Sequence, residues 1–175
     1  MPQRFYLLLF CLLFSSVAFA QAPADSSRNL TAKQERKYQD SVAKNLKPVD
    51  GKAIVYIIRH GVMGAAIPFR LDCDSFLVGW VAAGTYLYTI IDPGSHVFKA
   101  QSENDYELPL TVEAGKIYFL DQESRMGVMY ARTKLKPLNE QEGRKLLDKC
   151  HLSKHNRYPE MVLSRNYDEK PTDGD

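Results

Sequence analysis

The sequence is poor in cysteine, with three residues among 175, and it contains a single tryptophan. Three cysteines are too few for the disulfide framework of a small secreted scaffold or for a four-cysteine zinc site. Beyond its N-terminal segment the chain also lacks any apolar run of about 20 residues, the length needed to span a bilayer. Its charges nearly cancel, at a formal net charge of +2, so general nucleic-acid binding is not expected.

The first 20 residues have the pattern of an export signal. Arg4 precedes an apolar run over residues 5–14, and Ala18 and Ala20 form the small-x-small site that a signal peptidase recognises. We therefore predict a cleaved signal peptide over residues 1–20 and a periplasmic or secreted mature chain. No transmembrane segment is expected after cleavage.

The two cysteines outside this signal, Cys73 and Cys150, admit two interpretations. An exported compartment permits a disulfide between them. Alternatively, both are buried thiols, since free cysteine is among the most buried residue types. The Cys73–Cys150 pair is thus a candidate disulfide, and the sequence leaves both interpretations open.

Polar segments flank the predicted domain, which covers residues 52–150. Residues 21–51 are polar and basic, and a Thr-Ala-Lys-Gln capping box within them predicts a short helix over about residues 32–46. The apolar face of this helix is thin, so we expect a solvated linker rather than part of the core. Residues 151–175 are expected to form a mobile polar tail.

The chain between residues 53 and 138 is rich in β-branched and aromatic residues and is divided by turn residues. Asp92-Pro93-Gly94 is typical of a turn, because Pro fixes φ and Gly accepts a positive φ. Strands are predicted at 53–59, 66–72, 76–82, 85–91, 95–101, 106–113, 116–122 and 128–136. The fold class is therefore mainly β: an antiparallel β-sandwich, immunoglobulin-like or prealbumin-like, of about seven to eight strands. Asn139 is a good N-cap and predicts one C-terminal helix.

The tripeptide Arg59-His60-Gly61 ends the first predicted strand and matches a motif of histidine phosphatases. In those enzymes the imidazole is the nucleophile, and cations surround the phosphoryl oxygens. The motif counts only in its structural context, a mostly parallel sheet flanked by helices, and helical periodicity is absent from residues 62–138. A phosphohistidine-type phosphatase is therefore the less favoured alternative, and a strand end followed by a loop is the preferred interpretation.

Two further groups contain the residue types of a reactive site without its arrangement. Asp92, Ser95 and His96 are the three types of a hydrolase triad, but Ser95 and His96 are neighbours entering a strand and point to opposite faces. Cys150, His151 and His155 could ligate a metal ion, but a fourth ligand is not evident. No catalytic residue, metal site or cofactor is therefore predicted.

Tyrosine and basic side chains supply a weak candidate binding face. Tyr86 and Tyr88 share one strand face, where exposed rings would stack on sugars or grip a peptide. Burial in the core is preferred, because aromatic residues suit strands. Arg132 and Lys134 share a face of the last predicted strand, where protection of a sheet edge explains them more simply than an anionic ligand.

The order of these elements resembles a family of exported bacterial domains catalogued as domain of unknown function 2846. The likeness covers about residues 52–147 and rests on AIVYIIR, IPFRLDCDSFLVGWVAAGTYLYTIIDPGSHVFKA, EAGKIYFL and the LNEQEGRKLL helix. Onto the family pattern fall Arg59, Gly79, Gly84, Tyr86, Pro93, Gly94, His96, Gly115 and Tyr118. This chain departs from the pattern at Cys73-Asp74-Ser75, where members often have an Asp-Gly turn. The resemblance implies a small β-sandwich-like domain, no known activity and no catalytic residues.

Together these features predict an exported, uncharacterised protein that acts as a non-enzymatic envelope or secreted binding or interaction module. Its partner would be an envelope protein or a glycan, and not nucleic acid. The alternative is a structural accessory that positions its neighbours in an envelope assembly.

Overall fold

The structure is a computed structural model, and it describes residues 31–48, 51–129 and 131–156. The predicted signal peptide and the rest of the predicted tail lie outside the described residues. Within those ranges the protein is mainly β, with nine strands and two helices. In chain order these are α1 (Ala32–Lys44), β1 (Ala53–Arg59), β2 (Phe69–Cys73), β3 (Phe76–Val81), β4 (Thr85–Ile91), β5 (Gly94–Gln101), β6 (Asp105–Val112), β7 (Ile117–Met126), β8 (Ala131–Leu138), α2 (Glu140–Lys149) and β9 (His151–Leu152).

Both helices begin at the predicted caps. The Thr31 side chain accepts from the Gln34 backbone N–H, and the Gln34 side chain accepts from the Thr31 N–H, so the capping box is confirmed. Asn139 caps α2 by accepting from the Glu142 N–H at 2.9 Å. Strands β1 to β8 correspond to the eight predicted strands, whereas β9 was not predicted.

The strands form two sheets, of five strands in the order β8-β7-β1-β4-β9 and of four in the order β3-β2-β5-β6. The expectation of a purely antiparallel sandwich is wrong at two strand pairs. Strand β1 runs antiparallel to β4 but parallel to β7, and β9 runs parallel to β4. Parallel neighbours need long crossover connections, and here the five strands β2 to β6, four of them in the other sheet, lie between β1 and β7 in the chain.

Two cores lie on opposite faces of the five-stranded sheet. Val55 and Ile57 face the first core, where the sheets pack against each other and Phe98 comes from the second sheet. Ile54 and Tyr56 face the second core, which lies under the two helices. Every residue of β1 is buried for this reason, because a central strand with both faces covered has no solvent side.

Helix α1 is part of the domain, so the prediction of a solvated linker is wrong for its residues. Ala43 is buried in the second core, and its carbonyl accepts from the Tyr56 hydroxyl at 2.6 Å. The Asp40 carboxylate accepts from the Leu152 N–H at 2.7 Å and so ties the helix to β9. Polar and backbone contacts, rather than a broad apolar face, hold this helix to the sheet.

The chain after α2 forms a strap over residues 151–156, and here the prediction of a mobile tail is wrong. After β9 pairs with β4, the Ser153 hydroxyl donates to the Trp80 carbonyl at 2.7 Å. Asn156 then makes an isolated bridge to Gly79. Gly79 has φ +156, and a Cβ there would lie 2.1 Å from the His155 carbonyl oxygen, so this crossing requires glycine.

Cys73 and Cys150 are both free and buried. Cys73 lies in the first core between the sheets, and Cys150 lies in the second core under the helices. The candidate disulfide is therefore absent from the structure, because the five-stranded sheet stands between the two thiols.

Candidate functional site

Arg59 joins several segments of the chain by hydrogen bonds at the end of the sandwich where β1 ends. Its side chain is fully buried, and its guanidinium lies 3.6 Å from the centroid of the Phe69 ring. All five N–H groups of the Arg59 side chain donate hydrogen bonds. Nε donates to Ser124 Oγ (3.0 Å), Nη1 to the carbonyls of Ile67 (2.8 Å) and Val81 (3.1 Å), and Nη2 to the carbonyls of Met63 and Gly64 (2.9 Å each).

The partners of Arg59 are neutral oxygens rather than a carboxylate. Removal from water lowers the pKa of Arg59 to about 10, so the group is still a cation near neutral pH. Three carbonyls from the loop over residues 61–68 point at this cation and are fixed by it. Arg59 therefore holds this loop from the interior of the protein. Gly64 lets the loop approach Ala131 closely, since a Cβ at position 64 would lie 2.8 Å from the Ala131 Cβ.

Glu103 holds the β7–β8 hairpin loop through hydrogen bonds to the loop backbone. The Glu103 carboxylate accepts from the Val128 N–H at 2.9 Å and from the Met129 N–H at 3.2 Å. The Glu103 backbone N–H also donates to the Ala131 carbonyl, at 3.4 Å. A Cβ built at Gly64 would lie 2.8 Å from Ala131 Cβ, so the loop over residues 61–68 adjoins the hairpin loop.

Large apolar side chains on the two loops, together with Met126 at the end of β7, are exposed to solvent. We call this surface the loop platform, and it consists of Val62, Met63, Ile67, Met126, Val128 and Met129. Met126, Val128 and Met129 are each about 80% exposed, at 83%, 84% and 79%. Single exposed apolar residues are normal, but a group on adjoining, anchored loops is typical of an interaction surface. A cavity of about 360 Å³ adjoins it, lined in part by Ile67, Trp80 and Ala131.

The Arg-His-Gly tripeptide does not form a phosphate site. Arg59 faces the sandwich interior with its donors already used, whereas His60 is exposed and its Nδ1 lies 3.1 Å from Asp121 Oδ1. Asp121 is buried, and loss of hydration raises its pKa although His60 favours the ionised carboxylate. The arginine and the histidine therefore do not converge on one ligand.

The predicted tyrosine face is buried. Tyr86 has no exposed area, and its hydroxyl donates to the Asp40 carbonyl at 3.3 Å under α1. Tyr88 is partly buried against the same second core. The preferred interpretation of Tyr86 as a core residue is confirmed, and these rings do not offer a surface on which a sugar could stack.

The predicted basic pair lies on β8, which is an edge strand of the five-stranded sheet. Arg132 is opposite Arg125, and Lys134 is opposite Glu123. Arg132 is exposed and Lys134 is half-buried. Since Arg132 follows Ala131 at the start of the strand, this charged edge begins beside the loop platform.

A second polar group lies at the opposite end of the sandwich, where β2 ends and β5 begins. His96 is buried, with Nδ1 2.5 Å from Asp74 Oδ2 and Nε2 2.9 Å from the Asp92 carbonyl oxygen. The Cys73 thiol is buried beside them, and both this burial and the charge of Asp74 raise its pKa above the usual range. The hydroxyl of Ser95 lies on the other face, 3.0 Å from Thr111 Oγ1, so Ser95 and His96 point to opposite faces, as predicted.

Sequence reasoning missed this second group because its members come from different hairpins. Cys73 pairs with Phe98 across β2 and β5, and that register brings the turn after Cys73 beside His96. Neither turn alone contains all three residues. The sequence signal that could have found the group is an ionisable residue beside each turn, Asp74 after β2 and His96 at the start of β5.

Several residues of the predicted family pattern have structural roles. Arg59 anchors the loop over residues 61–68, Gly79 admits the C-terminal strap, and Tyr86 fills the second core. The Tyr118 hydroxyl accepts from the Glu113 N–H at 3.0 Å and closes the β6–β7 turn. These four pattern residues therefore act in how the chain folds.

These features define a small two-sheet β domain with one face covered by helices and with an apolar platform at one end. Residues 49–133 match the model of the family described as "Protein of unknown function (DUF2846)", which confirms the resemblance. An uncharacterized protein of Haemophilus influenzae (strain ATCC 51907 / DSM 11121 / KW20 / Rd) is 29% identical over 117 residues, covering 66% of this chain and 70% of that protein. No solved structure matches the chain. Among the described residues, neither helix is long and apolar enough to cross a bilayer.

Proposed function

We propose that the protein is an exported, non-enzymatic interaction module that binds an envelope protein through the loop platform. One observation carries the proposal: large apolar side chains stand exposed on two loops whose backbones are fixed by Arg59 and Glu103. Export is supported by the signal-peptide pattern of residues 1–20. The finer fold assignment, immunoglobulin-like or prealbumin-like, stays a prediction.

The anchored loops favour binding because their conformation is set before a partner arrives. Ordering a loop on association costs free energy, and that cost is reduced when its carbonyls are already held by a buried guanidinium. Methionine side chains adapt to irregular apolar surfaces, and the platform contains Met63, Met126 and Met129. The adjoining cavity has the size and apolar lining to accept an anchor side chain from the partner.

A protein partner fits this surface better than a glycan does. Sugar recognition relies on exposed aromatic faces, and the predicted candidate Tyr86 is buried. The non-enzymatic part of the proposal is supported by the separation of Arg59 from His60 and of Ser95 from His96. The structural-accessory alternative would use the same surface for a fixed neighbour.

The test compares three forms of the purified protein as baits in envelope extract. The platform variant carries Met126→Ser, Val128→Ser and Met129→Ser, and the control carries Tyr38→Ser and Val42→Ser on α1, which are 62% and 47% exposed in the native protein. We expect wild type and control to capture the same protein in similar amounts, and the platform variant to lose it.

Three results would contradict the proposal. The first is equal capture by all three baits. The second is platform-dependent binding to a glycan array or to vesicles of phosphatidylglycerol and phosphatidylethanolamine without any protein partner. The third is turnover of generic phosphate or ester substrates that is lost in His60→Ala, which would revive the phosphatase alternative.

A further inference from the structure

The end of the sandwich opposite Arg59 brings together three side chains of different ligand chemistry. We propose that Cys73, Asp74 and His96 bind a zinc-class transition-metal ion. The ligand atoms are the thiolate Sγ, a carboxylate oxygen and the imidazole Nδ1, and one such atom from each residue lies within 4.8 Å of the other two. This site is separate from the loop platform and does not depend on the function proposed for it.

The ligand set suits zinc in both type and spacing. Thiolate, imidazole and carboxylate are the side chains that zinc prefers, at about 2.0–2.3 Å, which places tetrahedral ligand atoms roughly 3.3–3.8 Å apart. The three atoms are therefore near coordinating distance already. The 2.5 Å separation of His96 Nδ1 from Asp74 Oδ2 would open by about 1 Å to admit the ion.

The surroundings of His96 orient it as a ligand. Both ring nitrogens face oxygen acceptors, with Asp92 O at Nε2 and Asp74 Oδ2 at Nδ1. An imidazolium would donate to both oxygens, whereas a metal ligand is the neutral ring with one N–H. If Nε2–H donates to the Asp92 carbonyl, the Nδ1 lone pair points at the carboxylate, and a metal ion between them satisfies both. Such a second hydrogen bond is the usual support of a metal-bound histidine.

The backbone aims Asp74 at the same point. Asp74 and Ser75 both have positive φ, 48° and 72°, in the two-residue turn between β2 and β3. Two-residue hairpin turns of type I′ have positive φ at both central residues, so the turn itself accounts for this geometry. Asp74 Oδ1 is already used by the Val97 N–H at 2.8 Å, which fixes the carboxylate and leaves Oδ2 facing His96.

Asp74 is the solvent-facing member of the site. Its side chain is partly exposed, whereas Cys73 and His96 are buried. Binding would break the Cys73 S–H bond, form the sulfur–metal bond and release the proton to solvent. Cys150 is an equally buried thiol in the other core and serves as the matched control.

The test is titration of the purified, chelator-treated protein with Co²⁺ and then with Zn²⁺. We expect a near-ultraviolet thiolate-to-Co²⁺ charge-transfer band that saturates at one ion per chain and disappears when Zn²⁺ is added. The band should be absent in Cys73→Ser and unchanged in Cys150→Ser. His96→Gln should weaken Zn²⁺ affinity by at least about 100-fold, because loss of a direct ligand exceeds the 10–100-fold effect of a supporting residue.

Asp74→Asn keeps the shape of the residue in the turn, so it tests the site even if the other variants fail to fold. It should also weaken Zn²⁺ affinity while circular dichroism shows a native fold. The absence of a thiolate band in wild type, or a band that persists in Cys73→Ser and vanishes in Cys150→Ser, would overturn the proposal. A Zn²⁺-induced rise in Tm that is the same in wild type and Cys73→Ser would also overturn it.

Discussion

Replacement of Arg59 with methionine should destabilise the protein strongly, because the guanidinium satisfies five oxygen atoms at once. The variant would leave the Ser124 hydroxyl and four backbone carbonyls without their donor. Each buried polar group left unpaired costs about 1–3 kcal/mol. The carbonyls of Met63 and Gly64 can rehydrate if their loop moves, whereas the Val81 carbonyl is buried. We therefore expect the free energy of unfolding to fall by about 3–5 kcal/mol.

The assay for Arg59 is urea unfolding followed by the fluorescence of Trp80, the only tryptophan. Arg59→Lys keeps a cation but has three donors without the planar fork, so its loss should be smaller yet substantial. Arg132→Met removes an exposed arginine and should change stability by no more than about 0.5 kcal/mol. If Arg59→Met lies within about 1 kcal/mol of wild type, the guanidinium does not hold these loops.

Three further predictions concern the packing of the helices and the strap. Gly143→Ala would gain about 1 kcal/mol in an exposed helix, but here the new Cβ would lie 2.2 Å from Phe119 Cγ; we expect a loss of about 1–3 kcal/mol in urea unfolding, and a gain would contradict the packing of α2. Gly79→Ala should displace the strap over residues 151–156 and speed its cleavage in limited proteolysis read by mass spectrometry, whereas an unchanged cleavage rate would show that the strap does not cross Gly79. Burial raises the pKa of Tyr56 to about 12, from 10.0. The unfolded chain therefore ionises first as pH rises, and the stability that Tyr56 contributes is present below pH 10 and lost towards pH 12. The stability advantage of wild type over Tyr56→Phe should shrink between those values, and an advantage that is constant with pH would contradict the burial of this hydroxyl.

The strands could be predicted from the sequence because their signals are local. β-branched and aromatic runs between turn residues marked β1 to β8, and the Asp92-Pro93-Gly94 turn fell between β4 and β5 as expected. The burial of Tyr86 followed from the same preference of aromatic residues for strands. The order of strands in the sheets, including the parallel pair β1–β7, depends on long-range pairing that local patterns do not encode.

The docking of α1 and of the strap could not be predicted because their contacts leave little hydrophobic signal. Helix α1 buries only Ala43 and is otherwise held through the backbone carbonyls of Asp40, Ala43 and Lys44 and through the Asp40 carboxylate. The strap is held by the Ser153 hydroxyl and by backbone contacts at Gly79. Hydrophobic periodicity, the main sequence signal for buried elements, does not detect such polar attachments.

The two candidate sites could not be predicted from the sequence for a related reason. Arg59 stood out as a charged residue closing an apolar strand, but most of its partners are backbone carbonyls, which carry no sequence signature. The pairing of Asp74 with His96 depends on the register between β2 and β5. The exposure of Val128 and Met129 likewise depends on how Glu103 holds their loop.

The central claim, that the loop platform is the surface that meets an envelope protein, is tested most directly by site-specific cross-linking. A photoreactive amino acid replaces Met129 on the platform or, as the control, Val42 on α1, and the protein is irradiated in intact envelopes. We expect an adduct of one defined mass from position 129, identified by mass spectrometry, and none of that mass from position 42. Adducts of the same protein in equal yield from both positions, or none from position 129 while position 42 reacts, would contradict the claim.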